Sequence, residues 1–157
     1  MVYRKTIITP ALTTEGSPLL SDLSVTNGLV YFLEIMFPSG SEGLLHVQIY
    51  DGSFPLWPST PGESFEGDDM YLKYDDLYIK EKEPFSLRVV TWNDDDMYQH
   101  KVVVGVGLVG KDIFKARFLP SLMYKEFEDV YTRILKQQEE KKLAILKAPF
   151  FPITQGV

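Results

Sequence analysis

Residues 29–37 constrain the fold more than any other segment, because they have the pattern of a β-strand that is apolar on both faces. The turn-forming pair Asn27-Gly28 precedes this segment, and a second turn at Pro38 and Gly40 follows it. Only Glu34 interrupts the apolar pattern. Strands that are apolar on both faces are usually covered on both sides. We therefore expect an opposing sheet on one face, and either the C-terminal helix or a neighbouring subunit on the other.

Several shorter segments with a strand pattern are separated by turn signals. The last of them places valines on one face and Gly105 and Gly107 on the other, where glycine often marks the close approach of another group. Short strands without alternating helices favour an antiparallel β-sandwich or a jelly-roll-like domain, so we predict a mainly β fold of this class. The other predicted strands are residues 3–9, 44–50, 71–74, 77–80 and 85–92, and the last is 100–109.

Two long stretches lack a strand pattern and are rich in residues that favour turns. We predict that residues 10–23 form a loop or an extended arm, and that residues 53–69 form a long connection between strands. Connections of such length are uncommon in compact domains and are often functional. The predicted organisation is an N-terminal strand and extended arm (residues 1–24), a β-sandwich core (25–110) and a C-terminal helix with an apolar tail (111–157).

An amphipathic helix is predicted after Pro120, with Ser121 as its N-cap and Pro149 as its end. Its apolar stripe lapses over the polar residues 137–142, which we expect to be solvated, and then resumes. Because a broken stripe does not fit one packing partner, we expect only the N-terminal half to pack on its own sheet. The remainder and the extended tail would dock on another subunit. The predicted interface residues are Met123, Phe127, Val130, Ile134, Leu143, Leu146, Phe150 and Phe151.

Composition and charge exclude several classes of protein. The chain of 157 residues has a formal net charge of −6 and no extended Lys/Arg cluster, so it lacks the positive surface that general nucleic-acid binding requires. It contains no cysteine, which rules out disulfides and thiolate metal sites. It shows neither a signal-peptide pattern nor an apolar run approaching the ~20 residues of a membrane helix. We predict a soluble protein of the virion or the cytoplasm, with no nucleic-acid or membrane partner.

The densest carboxylate cluster is Asn93-Asp94-Asp95-Asp96. Oxygen-rich loops suit Ca²⁺, but the spacing is not that of an EF-hand and no glycine occupies the required position. A turn between two strands explains the same residues, because Asn and Asp supply turn chemistry. We favour the turn and predict no metal, with Asp94, Asp95 and Asp96 as the candidate ligands if one binds.

Trp57 and Trp92 are the candidates for ligand binding, because aromatic rings form platforms for sugars and other flat ligands. Core packing or a protein interface explains them as well and is the favoured interpretation. Trp57, which lies among prolines in the 53–69 connection, is expected to be the more exposed of the two.

His46 and His100 are the only histidines of the chain. No nucleophile elbow, HExxH motif, P-loop or dinucleotide-binding glycine motif accompanies them. We therefore assign both histidines a structural role and predict no catalytic residue, no cofactor and no enzymatic activity.

Three segments carry a resemblance to a known group of proteins. They are VTNGLVYFLEIMFPSGSEGLLHVQIYDG, PLWPSTPGESFEGDD and PFSLRVVTWNDDDMYQHKVVVGVGL, between residues 25 and 109. Their order, the WPS loop and the WNDDD turn followed by a tyrosine resemble uncharacterised small β-sandwich proteins of phage and phage-like gene clusters. The resemblance implies a virion component, such as a capsid decoration, penton or tail-associated subunit, and no catalytic residues.

The sequence leads to three hypotheses. The first is a non-enzymatic structural or assembly protein, acting as a homo-oligomer or within a larger protein assembly, because a rigid β module with terminal extensions suits symmetric assembly. The second is a carbohydrate- or other ligand-binding β-sandwich module that uses Trp57 and Trp92. The third is an enzyme without a recognisable motif, which would depend on His46 or His100.

Overall fold

Residues 1–147 are described by the computed structural model, apart from the side chain of Leu122. The predicted interface residues Phe150 and Phe151, and the predicted helix end at Pro149, lie outside the described residues. The described chain forms nine β-strands, one 3₁₀ turn and two α-helices. In chain order they are β1 (Val2–Thr9), β2 (Leu19–Ser24), β3 (Gly28–Phe37), β4 (Leu45–Asp51), β5 (Phe54–Trp57), β6 (Phe65–Glu66), β7 (Met70–Lys80), β8 (Ser86–Asn93), β9 (His100–Val109), α1 (Lys111–Phe118), the 3₁₀ turn (Ser121–Met123) and α2 (Tyr124–Leu146).

The strands form two sheets that pack face to face. The strand order is β1-β9-β3-β7 in the first sheet and β2-β8-β4-β5 in the second, where β6 also pairs with β4. Each of these strand pairs is antiparallel. The predicted antiparallel β-sandwich with a C-terminal helix is therefore confirmed.

The core lies between the facing sides of the two sheets. Val102, Val104 and Val106 of β9 point into it and are fully buried, as their period-2 spacing predicted. Each fully buried Val or Leu contributes about 1.5–3 kcal/mol relative to an exposed one, so this layer dominates the stability of the fold. The largest buried side chains that meet in it are Leu33, Ile35, Phe37, Leu45, Ile49, Leu87 and Leu108.

The predicted N-terminal arm is shorter than expected. Residues Leu19–Ser24 form β2, which pairs with β8 at the edge of the second sheet and buries Leu23 in the core. The residues here do not alternate between apolar and polar, since Leu20 is exposed and Ser21 is half-buried, and the turn preference of serine and aspartate obscured the strand pattern further. Residues 10–18 remain as a loop, in which Thr13 forms a β-bridge with Asn93.

The connection at residues 53–69 is also more ordered than predicted. It contains β5 and β6, both of which pair with β4 and extend the second sheet. Proline cannot donate a ladder hydrogen bond, which keeps strands in this region short. The two strands predicted at residues 71–74 and 77–80 are instead one strand, β7, because a shift of register against β3 accommodates the acidic pair between them.

The helices cover one end of the outer face of the first sheet. Tyr131 of α2 is buried against Leu29 of β3 and Ile79 of β7. The second cover expected for the doubly apolar strand is thus the chain's own helix, over the Leu29 end. The aromatic and aliphatic side chains that complete this cluster are Val109, Phe114, Phe127, Ile134 and Leu135.

The start of the helical region differs from the prediction. Pro120 occupies the N-cap position with extended backbone, so the following Ser121 opens a 3₁₀ turn and α2 begins only at Tyr124. No side chain caps either the turn or α2, and the predicted N-cap role of Ser121 is wrong. None of the helices within residues 1–147 is both long and apolar enough to cross a membrane.

Candidate protein-binding surface

The polar residues 137–142 of α2 are mostly exposed, as predicted, but Gln138 and Lys142 among them are partly buried against the edge of the first sheet. Gln138 accepts a hydrogen bond from the backbone N–H of Ile79 (3.1 Å) and donates one to the Ile79 carbonyl (3.4 Å). One turn later, Lys142 donates to the carboxylate of Asp51 (2.9 Å) and to the hydroxyl of Tyr78 (2.5 Å). Gln138 and Lys142 therefore dock the helix, because an edge strand presents backbone groups that polar side chains can satisfy.

Asp51, at the end of β4, is the centre of a polar cluster between the two sheets and α2. Its carboxylate accepts hydrogen bonds from Tyr78, Lys80 and Lys142. The side chain of Lys80 is only 3% exposed, and a buried ammonium group needs a charged partner of this kind. Burial acts to raise the pKa of Asp51, but the three hydrogen bonds outweigh it and hold the pKa below its ordinary value. The cluster fixes the position of α2 against both sheets.

Four of the predicted interface residues stay exposed after this packing, and we call them the exposed helix residues. Met123 is 44% exposed, Val130 39%, Leu143 55% and Leu146 44%. Helical spacing places the first two on one side of the packed stripe and the last two on the other. The other two described candidates, Phe127 and Ile134, are partly buried and pack in the cluster around Tyr131, in the half of the helix that was expected to pack on its own sheet.

Two glycines shape the outer face of the first sheet beyond the helices. A Cβ atom at Gly105 would lie 2.5 Å from Oε1 of Glu34, and one at Gly107 would lie 2.2 Å from the ring of Phe32. The close approach predicted for these glycines is confirmed. The Glu34 carboxylate lies over β9, where Nε of Arg4 and the hydroxyl of Tyr71 each contact it at 2.7 Å. The acidic residue of the most apolar strand is thus paired at the surface of the sheet.

Around this ion pair the outer face exposes further apolar side chains. They alternate with charged residues, among them Arg4 and Lys101. Single apolar residues at a surface are normal, so this face is the weaker of the two candidate surfaces. Its exposed apolar residues are Val2, Ile8, Tyr31, Met36 and Tyr71.

The acidic loop after β8 has the structure of a turn. Asn93 is buried, and its side-chain amide donates to three backbone carbonyl groups. Asp95 accepts the backbone N–H groups of Met97 (2.7 Å) and Tyr98 (2.9 Å), and its other oxygen lies 2.8 Å from Nε2 of His100. The two backbone N–H groups, and then His100, hold the pKa of Asp95 below its ordinary value. These contacts are the turn chemistry that the loop sequence favoured.

The candidate metal ligands do not converge. Asp95 uses both carboxylate oxygens within its own turn, while Asp94 and Asp96 are exposed. Among the described residues, no group of three or more His, Cys, Asp or Glu side chains is arranged to hold a metal ion.

His46 belongs to a short chain of polar side chains. Its ring stacks on Trp92 with centroids 4.9 Å apart, and its Nδ1 lies 3.0 Å from Oγ of Ser64. Its Nε2 lies 3.2 Å from a carboxylate oxygen of Asp94. The order serine, histidine, aspartate is that of a nucleophile, its base and an orienting acid. However, Glu66 also approaches Nδ1 (3.4 Å), so the serine shares its nitrogen with a second carboxylate.

Both tryptophans are buried, and the predicted exposure of Trp57 is wrong. Each is 6% exposed, so neither ring offers a free face to a sugar. Trp57 packs edge-on against Tyr78, and its indole N–H donates to the carboxylate of Asp76 (2.6 Å). Trp92 carries the stacked ring of His46. The prolines around Trp57 suggested an exposed loop. The sequence did not reveal that Tyr78 of β7 packs against the ring.

The main residues that sequence reasoning missed are those that position α2. Asp51, Lys80 and Gln138 were not singled out, because their partners lie far away in the chain and no local pattern connects them. The contact on the outer face was partly detectable, because Glu34 interrupts an otherwise apolar strand. Glu34 lies opposite Gly105 in the sheet.

A scan against models of protein families finds no match for this chain, and a search of curated proteins finds no similar sequence. The function must therefore be argued from the geometry of these surfaces.

Proposed function

We propose that this protein is a non-enzymatic structural subunit that acts through contacts with other protein chains, as a homo-oligomer or within a larger protein assembly. The observation that carries this proposal is the exposure of Met123, Val130, Leu143 and Leu146 on a helical segment that is fixed to its own sandwich. Large apolar side chains that a rigid element holds outward form a surface suited to a protein partner.

The rigidity of α2 supports the proposal. Tyr131 anchors its first half in an apolar cluster, while Gln138 and Lys142 anchor its second half through hydrogen bonds. A partner would then bind side chains that are already ordered, which reduces the entropy lost on association. Burial of these side chains would contribute about 25 cal/mol for each Å² of apolar surface removed from water.

A finer proposal is that the assembly is a virion, in which the chain serves as a capsid decoration, penton or tail-associated subunit. The support for it is the resemblance of residues 25–109 to small β-sandwich proteins of phage and phage-like gene clusters. The architecture is compatible with such a role, because a sandwich provides a rigid body and the exposed helix residues provide contacts that can repeat by symmetry.

A hydrolase is the second candidate, because Ser64, His46 and Asp94 are aligned within hydrogen-bond reach. Against it, the serine competes with Glu66 for Nδ1, and the Asp94 side chain is 57% exposed, so it would orient the ring weakly. A Ser64→Ala variant tests this candidate. Ester hydrolysis by the intact protein that disappears in the variant, with an unchanged fold by circular dichroism, would favour the hydrolase.

A carbohydrate-binding module has no comparable support among the described residues. The two tryptophans that suggested it, Trp57 and Trp92, are buried in packing and hydrogen-bond contacts. A sugar platform requires an accessible ring face. Titration with glycans and measurement of tryptophan fluorescence would check this, and we expect no quenching.

Light scattering coupled to size exclusion tests the assembly proposal. The intact chain of 18.0 kDa is expected to elute as a defined oligomer. The double variants M123E/V130E and L143E/L146E each introduce two carboxylates into an apolar contact, so at least one is expected to lower the mass towards the monomer. Arg133→Glu, at an exposed position of α2, is the matched control. An intact chain that stays monomeric at every concentration would contradict self-assembly.

A further inference from the structure

β7 is an edge strand of the first sheet. It pairs with β3 on one side, and no other described strand pairs with its outer edge. Its side chains Met70, Tyr71, Tyr74 and Leu77 are exposed. The unpaired N–H and C=O groups of a long exposed edge are a template for pairing with another chain. A strand of 11 residues is long for an unprotected edge.

The free part of this edge has two defined ends. Asp69 has a φ of 46°, which turns the chain away immediately before Met70. At the other end, Gln138 of α2 already occupies the backbone N–H and C=O groups of Ile79. The free edge therefore extends from Met70 to Tyr78.

The charges on β7 are complementary to a second copy of the same strand. Lys73 and Asp75 pair with Glu34 and Phe32 of β3, and so both face the outer side of the sheet. In an antiparallel pair of two β7 strands centred on Tyr74, Lys73 of each copy lies opposite Asp75 of the other. Sliding the strands to the next register that keeps the faces aligned places either two lysines or two aspartates opposite each other, which is unfavourable.

The register centred on Tyr74 also uses the whole free edge. Met70 of one copy lies opposite Tyr78 of the other, so the new ladder ends where α2 begins to cover the strand. The exposed side chains of Tyr71 and Leu77 lie opposite each other and would be buried together. The amide of Leu77 is already bound by the Asp76 carboxylate (2.7 Å), so the new backbone hydrogen bonds would concentrate around Tyr74.

We propose that β7 pairs antiparallel with β7 of a second copy of this chain, so that two first sheets become one continuous sheet across a two-fold axis. This inference rests on the assembly function proposed above and names one of its contacts. A lysine on an edge strand generally discourages pairing. In this register, however, each Lys73 gains an Asp75 as its partner.

Charge-swap variants test the register directly. Lys73→Glu creates two acidic pairs across the axis and Asp75→Lys creates two basic pairs, so each is expected to weaken self-association by roughly tenfold or more. An equal mixture of the two variants restores opposite charges at both positions and is expected to associate as tightly as the intact protein. Sedimentation equilibrium measures the association constants. Lys125→Glu and Asp129→Lys, at exposed positions of α2, carry the same charge changes and are the controls.

A cysteine at the axis tests the geometry, since the chain has no cysteine of its own. Tyr74→Cys is expected to form a disulfide-linked dimer on mild oxidation, because directly opposite residues of an antiparallel pair have Cα atoms about 4.5–5.5 Å apart. Leu20→Cys, at an exposed position of β2, should show only the slow cross-linking of random collisions.

The outcomes separate this inference from the assembly function. Unchanged association of Lys73→Glu, or cross-linking of Tyr74→Cys no faster than that of Leu20→Cys, overturns the β7 contact. If the intact protein is nevertheless oligomeric and the variants of the exposed helix residues dissociate it, the assembly function stands. An intact protein that is monomeric at every concentration overturns both.

Discussion

Lys142 of α2 donates a hydrogen bond to Asp51 over 2.9 Å, although 91 positions separate the two residues in the chain. Asp51 ends β4 in the second sheet, whereas the apolar side of α2 packs on the first sheet. The contact therefore joins the helix to both layers of the sandwich. The direction in which the exposed helix residues point depends on it.

Replacement of Lys142 by alanine is expected to lower the free energy of unfolding by about 1–3 kcal/mol, because it removes one charged partner from a partly buried carboxylate. Urea unfolding followed by tryptophan fluorescence measures the effect. Lys141→Ala, at the exposed neighbouring position, should change the free energy by less than about 0.5 kcal/mol. Equal effects of the two variants would show that the contact with Asp51 does not hold the helix.

The pH dependence of stability should report on Asp51. Its pKa is lowered in the folded state, so its contribution is present above the unfolded-state pKa and is lost as the pH falls through the folded-state pKa. Since the unfolded-state pKa is about 3.9, the loss is expected below about pH 4. Asp51→Asn should be less stable than the intact chain at neutral pH, with a smaller further loss in acid. Thermal unfolding across this range measures both.

The exposed Asp96→Asn variant is the control for this titration. It should follow the intact chain closely in acid. Stability curves of Asp51→Asn and the intact chain that run parallel below about pH 4 would contradict the assigned role of Asp51.

Gly107→Ala is expected to destabilise the fold by about 1–3 kcal/mol, because the added methyl group would overlap the ring of Phe32. The ring cannot move away easily, since it packs edge-on against Tyr31. Gly16→Ala is the control, because a Cβ atom at that position meets no other atom within 4 Å. Denaturant unfolding compares the two, and a Gly107→Ala variant as stable as the intact chain would show that the outer face is not closely packed.

Gln138→Ala should expose the edge of β7 locally. The amide of Ile79 loses its hydrogen-bond acceptor, worth about 1 kcal/mol, so its hydrogen exchange should become roughly fivefold faster. Gln137→Ala, at the exposed neighbouring position, should leave this exchange unchanged. Amide exchange measured by NMR distinguishes the two, and the same rate in both variants would mean that Gln138 does not protect the edge.

The sheets could be predicted from sequence because period-2 alternation is a local property of the chain. The valines of β9 and the two apolar faces of β3 identified their strands without knowledge of any neighbour. β2 was missed because Leu20 is exposed and Ser21 is half-buried, which breaks the apolar alternation, and because serine and aspartate favour turns. The docking of α2 could not be predicted, because Gln138 binds backbone groups of Ile79 that leave no trace in the side-chain pattern.

The candidate surface was only partly predictable. The helical stripe marked Met123, Phe127, Val130 and Ile134 together, because helical spacing groups residues on one side of a helix. The spacing of the stripe does not show how far the sheet beneath the helix extends. In the structure, Phe127 and Ile134 pack in the cluster around Tyr131, whereas Val130 stays exposed. Trp57 was misjudged for a related reason, since the prolines around it gave no information on its packing against Tyr78.

Because Gly105 and Gly107 have no side chains, the strands of the first sheet contribute differently to its two faces. At these two positions β9 has no side chain and is covered by Glu34 and Phe32 of β3, while Val102, Val104 and Val106 point into the core. The chemistry displayed there is supplied by neighbouring strands, with Arg4 from β1, Glu34 from β3 and Tyr71 from β7. The recognition properties of the face around these glycines can therefore be changed by substitutions in the flanking strands, while the core residues of β9 keep their identity.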